Sequence, residues 1–157
     1  MRRRDDTKRA ARPAEAVILF WVGPHRLAIA AGALREIRNN RGLAPEEFGC
    51  TSVVSAAEIF GVRADGEARL LVLRRGQIAV RVDRVDRLVD ITEMRRLPRM
   101  FRGRERVWYR GLTVIGDVVT PIVNPEAFVQ QARPAPSGAE AAALTAAANT
   151  TQEGVPA

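Results

Sequence analysis

The chain has 157 residues, 46% of them hydrophobic, and a formal net charge of +7 from 25 basic and 18 acidic side chains. That length holds one domain or two small lobes, and the apolar content is enough for a packed core. Cys50 is the single cysteine and His25 the single histidine, which excludes an intrachain disulfide and any metal or catalytic cluster built on several His and Cys side chains.

Large apolar residues gather between Ala16 and Val129. Residues 1–15 carry six basic and three acidic side chains and nothing large to bury, and the stretch after Ala132 is mostly Ala, Thr, Pro and Gly. Neither end can offset an ordering cost of roughly 1–2 kcal/mol per residue. The expected organisation is therefore a disordered basic arm over 1–15, a folded domain over 16–130 and a disordered Ala/Thr/Pro tail over 131–157.

In chain order, Ala16–Val22 (AVILFWV) is dense in β-branched and aromatic residues and reads as a strand. Arg2-Arg3-Arg4 precede it, an order also found in secretion signals. Seven apolar residues are marginal for that purpose and too few to span a bilayer, so a cytoplasmic protein with no membrane insertion is expected. Gly23-Pro24-His25 makes a turn into a second strand over Arg26–Ala30, and His25 is a solvent-facing turn residue. Ala33–Arg38 alternates, with Leu34, Glu36 and Arg38 against Ala33, Arg35 and Ile37, and favours a strand. Asn39-Asn40-Arg41-Gly42 and Pro45 mark a loop. After a short extended run at Thr51–Val54, Ser55 caps a helical turn that Gly61 ends.

Ala68–Leu73 and Gln77–Asp83 flank Arg74-Arg75-Gly76 as a tight hairpin, and Val85–Ile91 is a further strand. Leu97-Pro98 interrupts the pattern. An arginine-rich loop follows: residues 95–110 hold seven arginines against Glu105, a local charge of +6. Val107–Ile115 and Val118–Val123 form another hairpin around Gly116-Asp117. Asn124 then caps a short terminal helix with Pro125 in its first position. Many short strands, glycine turns and only brief helices indicate a mainly β domain of barrel or sandwich type.

The order of these pieces resembles the CheW-like coupling domain of bacterial chemotaxis. The residues that carry the resemblance are Gln77–Ile91 (QIAVRVDRVDRLVDI), Tyr109-Arg110-Gly111-Leu112 with Gly116-Asp117, and Pro121-Ile122-Val123-Asn124-Pro125-Glu126. In the first half they are Ala16–Val22 with Leu27–Ala30, and Leu34-Arg35-Glu36-Ile37. Each motif is short, and their order over a hundred residues gives them weight. The resemblance implies two small SH3-like five-stranded β-barrel lobes with short helices and an apolar groove between them. The first lobe would be drawn from 16–60 and the second from about 68–123, with the terminal helix packed back on the first. It implies a non-catalytic adaptor without cofactors, whose partners are a chemoreceptor signalling tip and the regulatory domain of a CheA-type histidine kinase.

The chain departs from the family pattern between Asn39 and Glu47, where a longer segment is usual, so a shortened first lobe is expected. Phe48-Gly49 stands where the family has Arg-Gly, and Val53 and Ala56 stand where it has Pro and Asp. By motif match, the expected partner-binding residues are Leu34 and Glu36 on the first lobe and Val85 and Leu88 on the second. Strand alternation would equally bury the three apolar ones as core, and Glu36 could be a solvated charge.

Little in the sequence supports catalysis. Asp83, Asp86 and Asp90 step among Arg81, Arg84 and Arg87 and are expected to form neutralising surface pairs, and no Gly-rich phosphate loop occurs. The alternative function is a basic small β-barrel binding nucleic acid or another anionic partner through the arm and the 95–110 loop. Trp108 and Tyr109 would stack on bases there, but adjacent strand residues point to opposite faces, so at most one could.

Overall fold

A computed structural model describes residues 14–132 apart from 41, 43, 67, 102 and 104. The expected arm and tail lie almost wholly outside the described residues. Where described, Glu15 already opens the first strand and the last helix runs to Ala132, each a little beyond the expected domain limits.

The first hairpin is β1 (Glu15–Val22) and β2 (His25–Ala30), turning at Gly23 with φ +56°. A 3-10 turn leads to β3 (Leu34–Asn39), and a second one at Pro45–Phe48 leads to β4 (Ser52–Ser55). Ser55 Oγ accepts from the Glu58 amide to start α1 (Ala56–Phe60), and Gly61 ends it in the left-handed conformation. Next come β5 (Arg69–Leu73) and β6 (Ile78–Val82) around Gly76, then β7 (Arg84–Ile91). A helical turn, α2 (Glu105–Trp108), precedes β8 (Tyr109–Ile115) and β9 (Val118–Val123). The chain ends in α3 (Pro125–Ala132), where Asn124 Oδ1 accepts from the Glu126 amide.

The fold is mainly β, in two sheets. One has five strands in the order β7-β1-β2-β9-β8, the other four in the order β3-β5-β6-β4. Two expectations are corrected here. The second sheet has four strands rather than five, and the lobes are not successive halves of the chain. The opening hairpin belongs with the last one, because β2 pairs parallel to β9 and β1 pairs with β7. Apolar periodicity marks a strand but carries no information about its partner.

Neither sheet is a closed barrel, but the five-stranded one comes near it. Past β7 the chain bends round so that Arg95 pairs with Leu112 on β8, the two residues exchanging N–H···O bonds of 2.7 and 2.8 Å. Thr113 Oγ1 also donates to Glu93 O at 2.8 Å. Gly111 permits this approach, since a Cβ there would lie 2.6 Å from the Arg95 carbonyl oxygen. Arg26 braces the same sheet, its Nη2 donating to Ile115 O at 2.8 Å and Thr120 Oγ1 at 2.9 Å.

Three apolar cores stack through the molecule. Val17, Leu19, Ala28, Ile91, Ile115 and Ile122 fill the curl of the five-stranded sheet. Its other face, with Phe20, Val22, Leu27 and Ile29, meets Leu71, Leu73, Ile78 and Val80 of the four-stranded sheet, with Phe128 of α3 in the same cluster. Behind that sheet, Phe48 and Cys50 cover Leu70, Val72 and Ala79. The seam between the sheets is therefore packed with side chains, and α3 rests on β4 and β6 of the four-stranded sheet.

Cys50 lies within the third core, and burial raises its thiol above the ordinary value despite the nearby Arg35 guanidinium. Alkylation by iodoacetamide is expected to be negligible in the folded protein and complete after denaturation. Rapid labelling under native conditions would show that the Pro45–Cys50 cover opens.

Candidate protein-docking surface

Edge strands carry unpaired backbone N–H and C=O groups, and a protein partner can dock there by extending the sheet. The four predicted partner-binding residues lie on two such strands, β3 at the edge of one sheet and β7 at the edge of the other. Both strands change register at those residues. On β3 one extra residue fits between Leu34, opposite Leu73, and Glu36, opposite Val72. On β7 one extra residue fits between Val85, opposite Phe20, and Leu88, opposite Ile18.

These bulges decide which way each side chain points, because an inserted residue reverses the alternation beyond it. Leu34 and Glu36, which alternation places together, are separated. Leu34 is only 6% exposed and joins the inter-sheet core, while Glu36 lies on the opposite face with Arg38 and the Phe48 cover. Val85 and Leu88, which alternation places on opposite faces, share one. Val85 packs half-buried against the inter-sheet core, and Leu88 is 59% exposed beside half-buried Ile18.

Glu36 sits between two guanidinium groups, with Arg38 Nε at 3.1 Å and Arg35 Nη2 at 3.5 Å. Arg35 also donates to the Phe48 carbonyl oxygen, and the Arg38 guanidinium lies 5.9 Å from the centre of the Phe48 ring. The β3 edge therefore presents a charge cluster that is basic overall, with Glu36 orienting two arginines.

The aspartates beside β7 do not form the expected ion pairs. Among the described residues, none of Asp83, Asp86 and Asp90 lies in a salt bridge with Arg81, Arg84 or Arg87. Asp83 is buried where β6 passes into β7, and its carboxylate accepts from the Gly23 amide, fixing the first turn. Arg84 instead stacks over the Trp21 ring, 4.8 Å from its centre.

A cleft of about 500 Å³ also opens at the turn end of the first hairpin, lined by Trp21, Leu27, Phe60, Tyr109, Val119 and Pro121 among others. The Trp21 Nε1 donor is buried without an acceptor among the described residues. Sequence reasoning missed this cleft, since its walls come from β1, β2, α1, β8 and β9 and no local pattern links them. It also misplaced Trp108, expected in a strand. Trp108 ends α2 instead, its ring edge-on to Phe60 at 5.7 Å and to Phe128 at 5.2 Å, and Tyr109 stacks on Phe60 at 6.2 Å. Both rings are thus engaged with Phe60.

No family model matches the sequence, and no curated protein matches it. Among solved structures, the scaffolding protein TtCheW from Thermoanaerobacter tengcongensis matches with a TM-score of 0.58 at 14% identity, over 74% of this chain and 88% of that one. The fold is CheW-like. The CheW-like arrangement of two sheets leaves β3 and β7 as open edges, and no helix among the described residues is long and apolar enough to cross a membrane. Within the same residues no group of three His, Cys, Asp or Glu side chains is placed to hold a metal ion.

Proposed function

We propose that this protein is a non-catalytic adaptor of chemotaxis-type signalling, coupling chemoreceptors to a histidine kinase through protein contacts at its open sheet edges. The observation that carries this reading is the bulge on β7, which turns Val85 and Leu88 to one face and leaves an exposed leucine beside Ile18 at a sheet edge. Covering the part of this leucine that is still exposed gains about 1–2 kcal/mol. The unpaired backbone of β7 adds hydrogen bonds to an incoming strand, and the Arg35–Glu36–Arg38 cluster on β3 supplies orientation by charge. Leu34 supports the β3 edge from beneath. The fold shared with a scaffolding protein supports the same reading, as do the motif positions of these residues. The partners proposed are the regulatory domain of a CheA-type kinase and the signalling tip of a chemoreceptor.

Leu88→Asp tests it. The side chain is exposed, so folding should be unaffected, while an interface that desolvates the new charge should weaken by about thirtyfold or more. Binding of the purified kinase domain and of a receptor-tip fragment, each measured by calorimetry, reads the effect. A folded Leu88→Asp protein that binds both as wild type does would remove β7 from the docking surface.

A further inference from the structure

We propose that the segment between β7 and β8 is a docking surface for anionic lipid headgroups, with Met100 and Phe101 entering the interface between flanking arginines. This goes beyond the adaptor reading and does not depend on it.

Three observations combine. Arg95, Arg96, Arg99 and Arg106 are all exposed in this segment, and the charge of +6 over residues 95–110 is nearly the whole net charge of +7. Large apolar side chains stand among them in solvent: Met100 is 82% exposed, Phe101 41% and Val107 54%. The segment is also fixed at both ends. At one, Arg95 pairs with Leu112, and at the other, Trp108 is wedged between Phe60 and Phe128. The tip is thus held away from the body instead of folding its apolar residues onto the core. Arg110, at the end of this segment, donates from Nη1 to Glu15 Oε1 at 3.0 Å, which ties the start of β1 to it.

Arginines around protruding apolar side chains suit a fluid, negatively charged interface. The cations meet phosphate and carboxylate groups while methionine and phenylalanine enter the acyl boundary. A folded acidic protein would need a complementary shape, and the apolar tip offers no cleft to it. Nucleic acid would need stacking platforms, and Trp108 and Tyr109 are already engaged with Phe60. Lipid is the occupant that uses both the charge and the exposed apolar tip.

Co-sedimentation of the full chain with vesicles tests the proposal, using phosphatidylcholine alone and phosphatidylcholine with phosphatidylserine in equal parts. Binding is expected only to the second, falling as salt rises. Replacing Arg96, Arg99 and Arg106 by alanine should weaken it about fivefold per arginine, and Met100→Ser with Phe101→Ser should weaken it by roughly tenfold. All five positions are exposed, so each variant should remain folded, which thermal unfolding checks. Leu88 lies on β7 seven residues before Arg95, so the control is Leu88→Ser, which adds no charge. It should bind vesicles as wild type does, while the adaptor reading expects it to weaken partner binding, and this separates the two. The proposal is overturned by absence of binding, by equal binding to phosphatidylcholine, or by undiminished binding of the Met100→Ser, Phe101→Ser protein. Tighter binding of a duplex oligonucleotide or of polyglutamate at the same salt overturns it too.

Discussion

Replacing Phe20 by alanine is expected to lower stability by about 3–5 kcal/mol, the range for deleting a fully buried aromatic ring from a core. Phe20 is completely buried, lies on the second-from-edge strand of the five-stranded sheet, and faces the core shared with the four-stranded one. No exposed segment is placed to collapse into the space it would leave, since Val22, Leu27, Ile29 and Val80 around it belong to ordered strands. Against a total of about 5–15 kcal/mol for a domain, such a loss is a large fraction. Because Val85 is its partner across β1 and β7, the substitution also removes the support beneath the proposed docking edge. Denaturant unfolding measures the stability change, and kinase-domain binding at a temperature where the variant is folded measures the second effect. A loss under about 1 kcal/mol would mean that the two sheets are not held together through this core.

Gly111→Val is expected to separate the ends of the curled sheet. A Cβ at this position falls 2.6 Å from the Arg95 carbonyl oxygen and 2.8 Å from Met94 Cγ, and backbone cannot move aside as a flexible side-chain end can. Either the Arg95–Leu112 pair breaks, exposing two backbone hydrogen bonds, or β8 shifts, and overpacking of this kind costs typically about 1–3 kcal/mol. Hydrogen exchange distinguishes this from general weakening. The Arg95 and Leu112 amides should lose protection while the amides of β5 and β6 keep theirs. Gly32→Ala is the matched control, because nothing lies within 4 Å of a Cβ there, and it should be neutral. Retained protection at Arg95 in the Gly111→Val protein would show that the closure does not depend on this glycine.

Much of the local structure was readable from the residues themselves. β-branched and aromatic runs marked β1, β6 and β9, and the Arg74-Arg75-Gly76 turn marked β5 as the partner of β6. Gly61 and Gly76 stopped or turned the chain where the left-handed region was needed, and Ser55 and Asn124 capped α1 and α3 as their side-chain chemistry predicts. The reading failed where tertiary contacts outweigh local preference. Trp108 lies in a β-favouring run, yet its ring gains more by entering the Phe60–Phe128 cluster, and α2 forms there in place of the first residues of a strand.

The amino-acid order by itself determined that this is a mainly β chain of short strands and where most of them turn. Tertiary structure alone decided that the first hairpin joins the last in one sheet, that the other sheet has four strands, and how β3 and β7 orient their side chains. The reason lies in the backbone. Alternation has a period of two only while the ladder is regular, and a single inserted residue sends Leu34 into the core and Glu36 to the far face while uniting Val85 with Leu88. Such an insertion is set by what the neighbouring strand offers, across fifty residues or more of intervening chain on β7, and no property of the local residues records it.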